Sequence, residues 1–361
     1  MSSETSQRTT ERGRIRVSGF DVERVESRDS LSSWEPDLQS EAGRGRLEYA
    51  WARFKRNRLA LFGAATIAFM VLVAVFSRPI SLPSSFPVLA GQTVQPFSLA
   101  PADPANQDVL TGYREPTLEN VLTWPPTGLY LFGADWAGRD ILSRVMYGGR
   151  WSLSIGFIAV AMALLVGIPL GSIAGYYGGK VDELIMRIVD MLYAFPFIVL
   201  AIAVIAVLGR GYWEMILALV VVGWLPYARI IRGEILSVKE NEYVTAAKAL
   251  GSRDRSIIVR HILPNAMAPV IVQATLSIGT TVLVAAALGF IGLGLSPASA
   301  EWGVMLNVEQ DAIARGRWWA GLFPGLAIFV FVMAINLVGD GVRDAFDPQG
   351  DQTDTDTGGL R

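Results

Sequence analysis

The apolar runs constrain this chain more than any other feature. Six stretches, residues 59–76, 153–176, 188–208, 215–231, 268–288 and 322–338, are long and nearly free of charge. A helix needs about 20 mostly apolar residues to cross a hydrocarbon layer about 30 Å thick. Lipid offers backbone amides no hydrogen-bond partner, so a spanning segment must be helical or belong to a closed barrel. The runs are continuously apolar and do not alternate, which argues against a barrel. The chain therefore reads as an all-α integral membrane protein with six transmembrane helices. Its 52% hydrophobic content would not have decided this alone, because soluble domains come close to that figure.

Basic residues set the expected orientation. RFKRNR directly precedes the first run, and Arg229, Arg232, Lys239, Lys248, Arg253, Arg255 and Arg260 crowd the loop between the fourth and fifth runs. Short basic loops stay in the cytoplasm. The chain is thus expected in the cell's inner (cytoplasmic) membrane, with several passes and both termini cytoplasmic. Residues 1–43 are polar, lack the apolar core of a signal peptide, and read as a disordered cytoplasmic extension. Residues 44–76 hold the N-terminal segment and first span, and 77–150 form a long extracytoplasmic loop. Within that loop 79–126 is rich in Pro, Ser, Thr and Gly and reads as irregular, whereas 140–149 reads as a short helix along the membrane surface, or a plain connector. Residues 151–345 form a five-helix core with a polar loop at 232–266, and 346–361 an acidic cytoplasmic tail. The second and fifth spans carry glycines suited to close helix packing in lipid, and Pro169, Pro196 and Pro226 are expected to kink or interrupt their helices.

Several chemistries are excluded or weakened. There is no cysteine, hence no disulfide and no thiolate metal site, and His261 is the single histidine. No phosphate-binding loop is present: GYYGGKV has the wrong spacing and no hydroxyl after its lysine. No nucleophile–base pair stands out, so no catalytic residue, cofactor or metal is assigned to this chain. The net charge of −2 singles out no partner class, and no nucleic acid is expected. Asp190 and Glu214 lie near predicted span ends, whereas carriers driven by protons or sodium ions usually hold carboxylates or broken polar helices near the midplane. A self-contained carrier or channel and an intramembrane enzyme are thereby weakened. If the chain moves something, the energy enters from another chain.

The polar insert EYVTAAKALGSRDRSIIVRHILPN, residues 242–265, is too charged to enter lipid and too rich in helix formers for a slack loop. Tyr243, Ala246, Ala247 and Leu250 share a face at i, i+3, i+4 and i+7. Gly251 suits the position just past a helix end, Ser252 is placed to cap a second helix with Asp254 in its first turn, and Pro264 is expected to end the element. This second helix would present Ile257, Ile258 and His261. A shallow apolar knob with a basic fringe suits a socket on a soluble partner, and equally a surface helix packed on the bundle; composition leaves both open.

The spacing of Ala246, Ala247, Gly251, Leu263 and Pro264 resembles the EAA loop of ABC-importer permease subunits. Thr245 replaces the Glu of that motif, His261 stands at its Ile, and Glu242 lies one turn upstream. RFKRNRLALFG, LFGADWAGRDILSRVMYGGRWSLSIG, GYYGGKVDELIMRIVDMLYAFP, EWGVML, WWAGLFPGLAI and NLVGDGVRDAFDP extend the likeness over residues 53–348. Together they resemble the second permease subunit of dipeptide/oligopeptide importers, relatives of which are associated with nickel and sugars. The resemblance implies a type I importer permease that supplies half of a pore for peptides. It implies four kinds of neighbour: a second permease, one or two cytoplasmic ATPase subunits carrying ATP and Mg²⁺, an extracytoplasmic substrate-binding protein, and membrane lipid. It also makes Glu242, Tyr243, Ala246, Ala247, Leu250, Gly251, Leu263 and Pro264 the site of ATPase coupling, and 140–149 a frame for the outer mouth.

Overall fold

The computed structural model describes residues 46–77, 100, 105, 107, 112–117 and 130–346. The expectations for 1–43, most of 79–126 and the acidic tail lie outside these residues. Every regular element among the described residues is a helix, with one isolated β-bridge between Ala134 and Asp140. In chain order they are α1 (Arg46–Phe54), α2 (Arg58–Phe76), α3 (Ile141–Tyr177), α4 (Gly179–Tyr193), α5 (Phe197–Leu208), α6 (Tyr212–Gly223), α7 (Leu225–Val238), α8 (Glu242–Ala249), α9 (Leu263–Phe290), α10 (Trp302–Val308), α11 (Gln310–Ala314) and α12 (Trp319–Phe346), with a helical turn (Asp254–Ser256) and a π-helical stretch (Ile257–Ile262) leading into α9. Among the described residues, five helical segments are long and apolar enough to cross a membrane, and a sixth follows if the bent pair α4–α5 counts as one span.

Asn57 begins α2 by accepting the Leu59 and Ala60 amides on its side chain, both at 3.1 Å. Asp140 does the same for α3, accepting the Ser143 amide at 2.7 Å. From there α3 runs unbroken for 37 residues, about 55 Å at 1.5 Å per residue. The expected surface helix over 140–149 is therefore the first turns of α3, fixed by the Asp140 cap and buried among Trp302 and its neighbours. Pro169 sits inside α3 without ending it.

The third predicted span is not one helix. α4 and α5 meet at 91°, with Pro196 as the N-cap of α5. Proline gives no amide to a continuing helix and forces the preceding residue out of helical geometry. The fourth span, Tyr212–Val238, continues through a single-residue interruption at Trp224, which keeps helical dihedrals, with Pro226 in the first turn of α7.

The most extensive helix pairing is α3 with α7, and glycine makes it possible. Gly167, Gly171 and Gly175 recur every fourth residue on α3. A Cβ at Gly167 would lie 2.7 Å from the Trp224 carbonyl oxygen, and one at Gly175 3.0 Å from that of Arg232. At Gly171 it would run into the Ala228 carbonyl. Close backbone approach of this kind is how helices gain packing energy in lipid, where apolar burial alone gives none.

Candidate functional site

The insert after α7 folds back onto the bundle. Lys239 caps α7 and donates through Nζ to the Gly175 carbonyl at 3.1 Å. Asn241 then starts α8 in an extended conformation without a side-chain cap. Val244, wholly buried, and Ala247, 7% exposed, enter the core cluster that holds Ile257, Ile262, Ala266 and Val270. Tyr243 and Ala246 are exposed, and Leu250 is 86% exposed.

The single face expected for Tyr243, Ala246, Ala247 and Leu250 is thus divided. At roughly 100° per residue, Ala247 stands about 40° round from Tyr243, on the side of Val244. It turns inward, and only Tyr243, Ala246 and Leu250 are presented outward. Glu242 and Thr245 are exposed beside them.

Gly251 has φ +79°, and a Cβ placed on it would meet nothing within 4 Å, so glycine is required there by conformation and not by space. Its amide donates to the Lys248 carbonyl at 2.9 Å and that of Ser252 to Ala247 at 3.1 Å, the paired bonds of a Schellman ending.

Two expectations for the second helix are corrected. The cap position is Arg253 rather than Ser252, because Ser252 is engaged in closing α8. Pro264 does not end the element. A helical turn, Asp254–Ser256, passes through a π-helical stretch, Ile257–Ile262, directly into α9, with Pro264 in its first turn, where a missing amide is tolerated. Within it Ile257 is buried, Ile258, His261 and Leu263 are half-buried, and Pro264 is exposed.

Polar contacts tie this insert to the neighbouring helix ends. The Tyr176 hydroxyl on α3 donates to Asp254 at 2.8 Å, and Lys248 lies 5.2 Å over the Tyr176 ring. Arg232 on α7 grips Asp182 on α4 with two bonds of 2.5 Å, one to each carboxylate oxygen. Arg229 pairs with Asp190 and stacks 4.2 Å over Tyr193. Asp190 is therefore a partner to α7 and not an isolated charge in a span.

Between α3, the α4–α5 bend, α6–α7 and α9 lies a cavity of about 520 Å³. Its α9 wall is polar: Gln273, Ser277, Thr280 and Thr281. Gln273 donates to the Ser277 hydroxyl at 3.1 Å, and the Thr280 and Thr281 hydroxyls donate to the Ser277 carbonyl at 3.0 and 2.7 Å. Among the described residues, none that lines the cavity is charged. The sequence reading assigned no residues to such a wall; their spacing of i, i+4, i+7 and i+8 inside an apolar run was the available signal.

At the opposite end of α3 a second polar cluster anchors the loops. Asp135 accepts the Ala137 and Arg139 amides, each at 2.9 Å, and the Arg139 Nε at 2.7 Å, while Arg144 lies 3.4 Å away. Glu301 caps α10, accepting the Gly303 and Val304 amides at 2.9 and 2.8 Å and the Ser152 hydroxyl at 3.1 Å. Burial pushes the Glu301 carboxyl above the usual carboxylate range, against those hydrogen bonds. Glu309 accepts the Trp136 amide at 3.2 Å and is likewise pushed up, chiefly by burial. Burial, then the Glu309 charge, raises the Tyr113 hydroxyl to about 12. The EWGVML string is therefore a packing device: Glu301 caps, Trp302 donates to the Val145 carbonyl at 2.9 Å, and a Cβ on Gly303 would run into Ala286.

Comparison with known proteins finds sequence relatives over most of the chain. Residues 167–350 match the family described as binding-protein-dependent transport system inner membrane component, and residues 45–116 match the N-terminal TM domain of oligopeptide transport permease C. The dipeptide transport system permease protein DppC of Alkalihalophilus pseudofirmus is 42% identical over 300 residues, covering 83% of this chain and 89% of that protein. The glutathione transport system permease protein GsiD of Escherichia coli is 40% identical over 300 residues, with the same coverage of each chain. An inward-facing MetNI methionine ABC transporter chain is 20% identical, covering 57% of this chain and 98% of that one, at TM-score 0.47. The chain belongs to the binding-protein-dependent transport system inner membrane component family, as a membrane-spanning permease of an ABC importer.

Proposed function

We infer that this permease imports peptides and takes its driving force from a cytoplasmic ATPase seated on Tyr243, Ala246 and Leu250. The observation that carries the reading is mechanical continuity. α8 follows α7 after a three-residue turn, α7 contributes Pro226 and Tyr227 to the cavity wall, and its Arg229 and Arg232 grip α4. A push on α8 therefore reaches the cavity through packed helices. Gly251, Leu263 and Pro264 shape the element and join it to α9. Val244 and Ala247 seat it on the chain's own core. Glu242 adds an exposed carboxylate to the docking face.

The chain itself is non-catalytic. ATP and Mg²⁺ belong to one or two ATPase subunits, a second permease completes the pore, and an extracytoplasmic binding protein delivers the cargo. Both termini and the α8 end lie in the cytoplasm, in a multi-pass inner-membrane arrangement. ATP-driven closure of the ATPase pair would move the coupling elements together and switch the pore between inward-open and outward-open states. Peptide as cargo is supported by the dipeptide and glutathione permeases among its relatives.

Reconstitution tests this. The complete importer in proteoliposomes, given its loaded binding protein and internal ATP, should accumulate a radiolabelled dipeptide. Accumulation without nucleotide, or ATP hydrolysis with no peptide uptake, would refute the energy source or the cargo respectively.

A further inference from the structure

We propose that the threonine end of the α9 wall, Thr280 and Thr281 beside Gln273 and Ser277, accepts hydrogen bonds from the main-chain N–H groups of a passing peptide. This rests on the peptide reading above and adds the way cargo is recognised inside the membrane.

The argument begins with where each hydrogen goes. A hydroxyl has one hydrogen to give and two lone pairs to offer. The Thr280 and Thr281 hydrogens both go to the Ser277 carbonyl on their own helix, at 3.0 and 2.7 Å. What these two side chains then present to the cavity is acceptor capacity. Gln273 directs an amide hydrogen at Ser277 Oγ, 3.1 Å away, which fixes both groups one turn further along. The wall is thus a fixed set of dipoles whose threonine end accepts hydrogen bonds.

The rest of the cavity is largely apolar. Its remaining walls, with Val160, Ala163, Leu219 and Val222 among them, carry polar groups only at Tyr193 and Tyr227, and no charged side chain among the described residues lines it. A cargo offering repeated neutral donors gains one bond per donor. The peptide backbone offers such donors whatever its side chains are. About 520 Å³ accommodates a short peptide segment, in the ordinary size range of small-molecule sites. The row reads what all peptides share, and leaves side-chain choice to whatever delivers them.

The test compares a peptide with its backbone-methylated analogue in the complete reconstituted importer. Trialanine carries its amide hydrogens; the same tripeptide with both amide nitrogens methylated lacks them. The binding protein is identical in every assay, so its own preference cancels when each variant is compared with wild type. The double variant Thr280→Val, Thr281→Val should lower trialanine uptake about tenfold, from loss of two modest hydrogen bonds. It should change uptake of the methylated peptide less than about twofold. Thr280→Ser, Thr281→Ser keeps the hydroxyls and should restore trialanine uptake, separating recognition from folding. Equal loss for both peptides, or no loss for either, overturns the track. Failure of the wild-type importer to move any peptide while hydrolysing ATP overturns the peptide reading itself, a result distinct from either.

Discussion

Leu250→Ala separates a docking helix from a merely packed one. Leu250 is 86% exposed, so its side chain contributes almost nothing to the stability of the isolated chain. Truncation to alanine removes three carbons, worth about 0.8 kcal/mol each when fully buried. If a partner covers this side chain, about 2 kcal/mol of interface energy is lost, close to a thirtyfold weaker dissociation constant. The permease complex in nanodiscs, titrated with purified ATPase subunit, reads this directly. The melting temperature of the permease should stay put, since an exposed truncation changes stability by only about 0.5 kcal/mol. An affinity within twofold of wild type would refute the assignment of this face, as would a lower melting temperature with unchanged affinity.

Other variants probe the supports of the element. Val244→Asp places a carboxylate where the side chain is wholly buried, so α8 should lift from the bundle; limited trypsin digestion should then cut faster at Lys248 and Arg253, with membrane insertion intact. Gly171→Leu drives a side chain into the Ala228 carbonyl and Ile231, and should cost about 1–3 kcal/mol of stability in a detergent melt, together with lost transport. Glu309 carries a raised carboxyl in the fold, facing Tyr113, Asp135, Arg139 and Arg144. The folded form therefore binds its proton more tightly than the unfolded chain. Its contribution is fully present below the ordinary value of 4.5 and is lost as pH rises through the raised value. Glu309→Gln should flatten that decline and melt higher than wild type at neutral pH, and an unchanged pH profile would contradict the assignment.

Much of the span pattern was legible because it depends on composition over 18 or more residues. Features set by contacts between distant residues were not. Pro196 marked a break, but the ion pairs that tie α4 to α7 beside the 91° bend, Asp182 with Arg232 and Asp190 with Arg229, join residues 50 and 39 apart. The continuity of α3 from Ile141 escaped a hydropathy reading because Arg144 and Arg150 interrupt the apolar run. Arg144 is satisfied within the fold by Asp135 and by the Ser299 carbonyl at 3.0 Å. In the insert, Gly251 was placed correctly because a positive φ leaves a strong local mark. Ala247 was misplaced because a face boundary differing by about 40° is decided by what the helix packs on. The α9 wall stayed hidden because serine and threonine scarcely disturb an apolar run, and a cavity is a property of several helices.

The central claim is that α8 is a cytoplasmic coupling helix. The natural chain has no cysteine, so Ala246→Cys would carry its only thiol, on the exposed face of α8. Applied to the assembled importer, a short thiol-directed cross-linker should join this residue to the ATPase subunit, with a yield that changes when nucleotide binds, and a membrane-impermeant maleimide added outside intact cells should leave it unlabelled. Labelling from outside, with no cross-link to the ATPase, would contradict the account.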